Sequence, residues 1–110
     1  MLHDIKESDW KLLKQLHPIV LERYCQQALG GIEYVRSNNA CAFRQRYEAI
    51  VLVVEYKERE ITQLFDGLHR RTALARLTAL HERNLLTEEE FARFSYEART
   101  AVEMRKSCLT

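Results

Sequence analysis

Four histidines and three cysteines carry most of the chemical potential of this sequence, and their spacing works against most of the chemistry they could do. His3, His17, His69 and His81 stand beside Cys25, Cys41 and Cys108. A zinc site needs three or four ligands at helical or hairpin spacing. No His-x-x-x-His, His-Glu-x-x-His or Cys-x-x-Cys occurs. Asp66-Gly67-Leu68-His69 places a carboxyl and an imidazole three residues apart. Helical di-metal centres use such a pair twice, with two further carboxylates, and no second pair is present. No metal and no cofactor is expected.

Nucleophilic catalysis has as little to work with. A cysteine nucleophile needs a base within hydrogen-bond reach. His17 and Cys25 are eight residues apart, about two helical turns, and so out of reach along a straight helix. There is no Gly-x-Ser-x-Gly, P-loop or dinucleotide glycine pattern. Glu55, Glu58 and Glu60 interleave with Lys57 and Arg59. Glu55 and Arg59, four apart, read as a surface pair worth a few tenths of a kcal/mol. Catalytic residues are therefore expected to be absent, and the chain is not expected to be an enzyme.

Arginine is the remaining charged feature. Arg44, Arg46, Arg70, Arg71 and Arg76 lie along the central segments. A guanidinium fork suits phosphate, so these five are candidates for contact with a nucleic-acid backbone or with a protein partner. Seventeen basic and sixteen acidic side chains leave a net charge of only +1, which exerts no general pull on nucleic acid or anionic lipid. Nucleic-acid regulation is thus the second reading, behind protein binding.

The elements that must position these side chains read as helices. Three glycines and one proline are too few for a turn-rich β fold. Phe43, Tyr47, Ile50, Val54, Ile61, Leu64 and Leu68 recur at steps of four and three, with only Lys57 out of pattern. This is the apolar stripe of a long helix, predicted over 40–66. Ile50-Val51-Leu52-Val53-Val54 resembles a strand locally, but the heptad on both sides outweighs that preference. A first helix is predicted from a Ser8 cap, with Trp10, Leu13, Leu16 and Val20 on its inner face. Pro18 then kinks or ends it. Leu21, Cys25, Ala28, Ile32 and Val35 continue the pattern. Gly30-Gly31 is a weak spot, or a point of close backbone approach. Ser37-Asn38-Asn39 reads as a turn, one of its residues capping the next helix. Asp66-Gly67 breaks or weakens the long helix, and helix resumes over 72–83.

Asn84 suits the left-handed position after a helix. Thr87 and Glu90 form a capping box, with Leu86 and Phe91 as a hydrophobic staple. A last helix therefore starts at Glu88, with Ser95 as a possible restart. The fold class is all-α: one helical domain over 1–110, a helical bundle or a long antiparallel helical hairpin with a short C-terminal helix. A helix of about 27 residues is roughly 40 Å long, more than so few neighbours can cover. Completion by a homodimer along the Phe43–Leu68 stripe is expected, the alternative being a monomeric bundle in which the Gly67 break folds the third helix back. The longest apolar run, Ala49 to Val54, is far too short to span a bilayer. The opening residues hold no signal-peptide core. The odd, dispersed cysteines suggest a reduced, cytoplasmic setting, with Cys25 and Cys41 as packing residues.

Lys6-Glu-Ser-Asp-Trp-Lys-Leu-Leu, Leu21-Glu-Arg-Tyr-Cys and Leu85-Leu-Thr-Glu-Glu-Glu-Phe-Ala-Arg-Phe-Ser resemble segments of short helical bacterial proteins of unassigned function. Chains of that kind occur on mobile elements such as integron gene cassettes. The resemblance implies an all-helical fold and a bacterial, laterally mobile origin, and it transfers no site residues. The function expected is that of a non-enzymatic helical interaction or adaptor protein.

Overall fold

Pro18 leaves a choice between a kinked helix and two separate ones, and the chain takes the continuous path. In the computed structural model, which describes residues 5–109, α1 runs unbroken over Glu7–Arg36. Pro18 has no N–H to give the carbonyl of Lys14, but both residues are exposed, so solvent can serve that carbonyl. The helix also starts earlier than a Ser8 cap would allow, since the Trp10 N–H already donates to the Lys6 carbonyl at 2.9 Å. The cause lies far along the chain. Arg70 donates to the Ile5 carbonyl at 3.0 Å and to the Glu7 carboxyl at 2.5 Å, holding this end in place.

Four further helices follow: α2 (Phe43–Phe65), α3 (Ala73–Glu82), α4 (Glu88–Ala92) and α5 (Tyr96–Leu109), with a 3₁₀ turn at Arg70–Thr72. No strand occurs among the described residues, and Ile50–Val54 is helical. Ser37, Asn38 and Asn39 shape the first turn but do not cap α2. Ser37 Oγ donates to the Glu33 carbonyl at 2.8 Å, and Asn38 Oδ1 accepts from the Ala40 N–H at 3.1 Å. That local bonding delays α2 to Phe43, where Gln45 Oε1 reaches back to accept from the Ala42 N–H at 2.9 Å. At the far end Gly67 adopts φ +64°, a conformation that costs glycine nothing, and it ends α2. Leu68 therefore falls outside α2, and the stripe loses its last member.

The local signals after α3 act together. Asn84 has φ 59°. The Leu85 N–H donates to the Leu80 carbonyl and the Asn84 N–H to the His81 carbonyl, both at 3.0 Å. This is the paired closure that turns a chain sharply off a helix, and it buries Leu80 and Leu85. Thr87 Oγ1 accepts from the Glu90 N–H at 3.0 Å, and Glu90 Oε1 accepts from the Thr87 N–H at 2.9 Å. Ser95 does restart the chain as α5, its Oγ accepting from the Ala98 N–H at 3.1 Å.

The described residues fall into two compact units. One combines the chain up to Val20 with everything from Gly67 onward. Its core is complete: Leu13, Val20, Leu77, Leu80, Phe94 and Val102 are fully buried or nearly so. A buried carboxyl fastens it. Asp9 accepts from the Ser95 N–H at 2.8 Å and from Ser95 Oγ at 2.6 Å, joining the first turn of α1 to the start of α5 across 86 positions. The other unit, Leu21–Asp66, is an antiparallel hairpin made of the second half of α1 and all of α2.

Replacing Asp9 by alanine strands the Ser95 N–H and hydroxyl without their buried acceptor. The expected loss is about 2–4 kcal/mol of stability, measured by urea unfolding followed by circular dichroism. Gly30 and Gly31 are exposed within α1, and a Cβ on either would meet nothing within 4 Å. Their sites are open, not places of close backbone approach. Gly30→Ala should therefore raise stability by about 0.5–1 kcal/mol. A loss in the same unfolding assay would show that this surface is already occupied.

Candidate functional site

From Cys25 to Arg59 no residue of the hairpin is buried. Its buried residues, Tyr24, Glu60, Leu64 and Phe65, all lie at the end away from the turn. There the Tyr24 hydroxyl donates to the Glu60 carboxyl. Phe65 meets the Tyr24 ring edge-on at 5.9 Å. Lys57 Nζ stands 5.4 Å above the same ring and 3.8 Å from Glu60 Oε1. At the turn end, Arg46 Nη1 donates to the Arg36 carbonyl at 2.6 Å, and its guanidinium lies 4.5 Å over the Phe43 ring.

Between these two clasps the stripe on α2 comes away from α1. Relative exposure is 4% at Leu64, 41% at Val54, 67% at Tyr47 and 83% at Phe43. The half-buried positions of α2 are Arg46, Ala49, Ile50, Val53, Lys57 and Ile61, so the stripe residues Phe43, Tyr47 and Val54 are its open members. Leu29 of α1 is exposed as well. The Tyr24–Glu60 and Arg36–Arg46 contacts place it level with Val54, and the sense of helical winding puts it on the same flank of the hairpin. Phe43, Tyr47, Val51, Val54 and Leu29 thus form one open apolar face, while the exposed Tyr34, Leu52 and Tyr56 lie off it. Leu29 and Val51 lie off the four-and-three pattern, so counting that period alone misses them.

The arginines are placed less favourably for phosphate. Arg44 pairs with Glu48 at 2.9 Å. Arg46 serves the end of α1. Arg70 is held by Glu7 and Ile5, and Arg76 Nη1 is 3.5 Å from His17 Nε2. Arg71 is exposed. Arg44 and Arg46 belong to the hairpin, and Arg70, Arg71 and Arg76 to the other unit.

Two of the histidines, His17 and His81, pack against neighbouring side chains. His81 stacks on Phe91 with centroids 3.9 Å apart, and its Nδ1 faces Lys106 Nζ at 3.1 Å. Ammonium and guanidinium groups only donate, so His81 Nδ1 and His17 Nε2 serve as acceptors on neutral rings. Burial first, then the neighbouring cation, lowers the pKa of each: Arg76 acts on His17 and Lys106 on His81, with Glu103 opposing in the second case. His69 is exposed, and His3 lies outside the described residues. Cys25 and Cys41 are half-buried and Cys108 is exposed. Among the described residues no three His, Cys, Asp or Glu side chains gather as metal ligands would. No helix of the described residues is long and apolar enough to cross a membrane.

No family model matches the chain, and no curated protein or solved structure matches it significantly.

The two neutral imidazoles make stability depend on pH. Their ordinary pKa is 6.5, and folding lowers it. Between the lowered values and 6.5 the unfolded chain binds more protons. Stability is therefore full above about pH 6.5 and is lost as pH falls through the folded values. The melting temperature should drop between pH 7.5 and 5. The double variant His17→Gln, His81→Gln should flatten that slope, and an unchanged slope would exclude these two rings as its source.

Proposed function

We propose that this chain is a non-enzymatic helical interaction protein whose hairpin, Leu21–Asp66, associates with a second copy through its open apolar face. One observation carries the reading: a hairpin rich in Leu, Ile, Val, Phe and Tyr has no buried residue from Cys25 to Arg59. A helix in water draws most of its stability from packing an apolar face, and here that packing is unfinished.

The size of the face supports a protein partner. Phe43, Tyr47, Val51, Val54 and Leu29, at the exposures they have, leave on the order of 500 Å² of apolar surface. At the usual apolar share of roughly 60%, this corresponds to about 800 Å² per copy, the standard size of a stable interface. A patch of this size falls within the range of the largest apolar patch on ordinary monomers, and such patches are often functional surfaces. Pairing two copies of the same face gives each hairpin the second layer of a four-helix bundle.

The test is the light-scattering mass of the purified protein on a sizing column. A peak at twice the chain mass of 13.0 kDa is expected at micromolar concentration. Tyr47→Glu places a charge on a side chain already two-thirds exposed, so the helical signal should persist while the mass falls to that of one chain. A wild-type protein that stays monomeric at 100 µM, about the upper end of weak association, would sink the reading.

A further inference from the structure

The heptad on α2 has two edges, and only one of them is in use. The stripe residues Phe43, Tyr47, Ile50, Val54 and Ile61 form the seam. The residues flanking it on one side are Arg46, Val53 and Glu60, and on the other Arg44, Val51 and Glu58. The first edge is turned to α1. Arg46 bonds the end of that helix, Val53 is half-buried and Glu60 accepts from Tyr24. On the second edge Arg44, Val51 and Glu58 are all exposed. Its order is basic, apolar, acidic, at seven-residue steps.

We infer that the second copy binds antiparallel, α2 against α2, with a two-fold axis beside Val51 and with Arg44 of each copy facing Glu58 of the other. This rests on the self-association proposed above and adds its orientation. Flanking charges of a helical seam set the orientation of the partner helix. In an antiparallel pair this edge of one helix runs along the same edge of the other, in the opposite direction. Two-fold symmetry about the middle residue then places Val51 on Val51, and pairs Arg44 with Glu58 at both ends. Both charges find a partner of opposite sign, and the apolar residue finds its own copy. A parallel pair would set this edge against the Arg46–Val53–Glu60 edge of its neighbour, which α1 already covers. The antiparallel arrangement keeps the two α1 segments on the outside of the α2–α2 contact. It brings Phe43 and Tyr47 of each copy toward the Val54–Ile61 stretch of the other.

Charge reversal tests the orientation. Arg44→Glu alone and Glu58→Arg alone each set like charges together at two symmetric places. Each should weaken the wild-type dimer about ten-fold at low salt. The double variant restores both attractions and should return to the wild-type Kd. An equimolar mixture of the two single variants should form a heterodimer tighter than either variant alone. Sedimentation equilibrium gives all four Kd values, and circular dichroism checks that each chain remains helical, since Arg44→Glu also removes the pair with Glu48. A dimeric wild type whose single variants are unweakened, or whose double variant is not rescued, overturns the antiparallel register and leaves self-association standing. A monomeric wild type overturns both.

Discussion

The hairpin is closed by polar groups at its two ends, and no residue between Cys25 and Arg59 is buried. The α2 seam begins against α1 at Leu64, is half out of contact by Ile50 and Val54, and faces solvent at Phe43. The pairing holds at its two ends through polar groups, with Tyr24 on Glu60 and Arg46 on the last carbonyl of α1. These contacts set register and spacing. They do not supply a core, because a hydrogen bond nets only about 1 kcal/mol after its exchange with water.

The second unit shows what completeness looks like in the same chain. Against the first part of α1 it sets three short helices, each bounded by its own device: the left-handed Asn84 after α3, the Thr87–Glu90 box before α4, and Ser95 before α5. Short helices between firm stops gather a core here, although Tyr96 and Met104 of α5 stay exposed. Leu77, Leu80, Phe94 and Val102 reach full burial or nearly so, while the much longer α2 buries only the three residues Glu60, Leu64 and Phe65. Long, regular helices have spread apolar surface outward, and short, interrupted ones have gathered it.

What could be read from the residues alone follows the same division. Features set by neighbours in the chain were legible: the all-helical class, the helical state of Ile50–Val54, and the caps from Asn84 to Ser95. Gly67 reads as a weak point, and the residues alone leave open whether it breaks the helix. Features set by distant residues were not. Ser8 looks like a cap until Arg70 extends the helix past it. Asp9 reads as a first-turn charge, yet it is the buried acceptor for Ser95 across 86 positions. Glu60 sits among surface charges in the sequence and is buried under Tyr24. For the candidate face, periodicity identified Phe43, Tyr47, Ile50 and Val54 as one stripe, but it could not tell a covered stripe from an open one. That distinction depends on the register of α1 against α2, which two polar contacts impose. The arginines illustrate the reverse error, since grouping them by proximity in sequence ignores that most already have partners.

The hairpin is also an insertion in the order of synthesis. Its internal contacts fall within Leu21–Asp66, the Tyr24–Glu60 bond spanning 36 positions. The unit around it needs α5, which begins at Tyr96, thirty residues after the hairpin closes at Asp66. At roughly 5–20 residues per second on the ribosome, the hairpin has a lead of several seconds. On the proposed self-association, this order of emergence would let hairpins meet before either chain has finished folding.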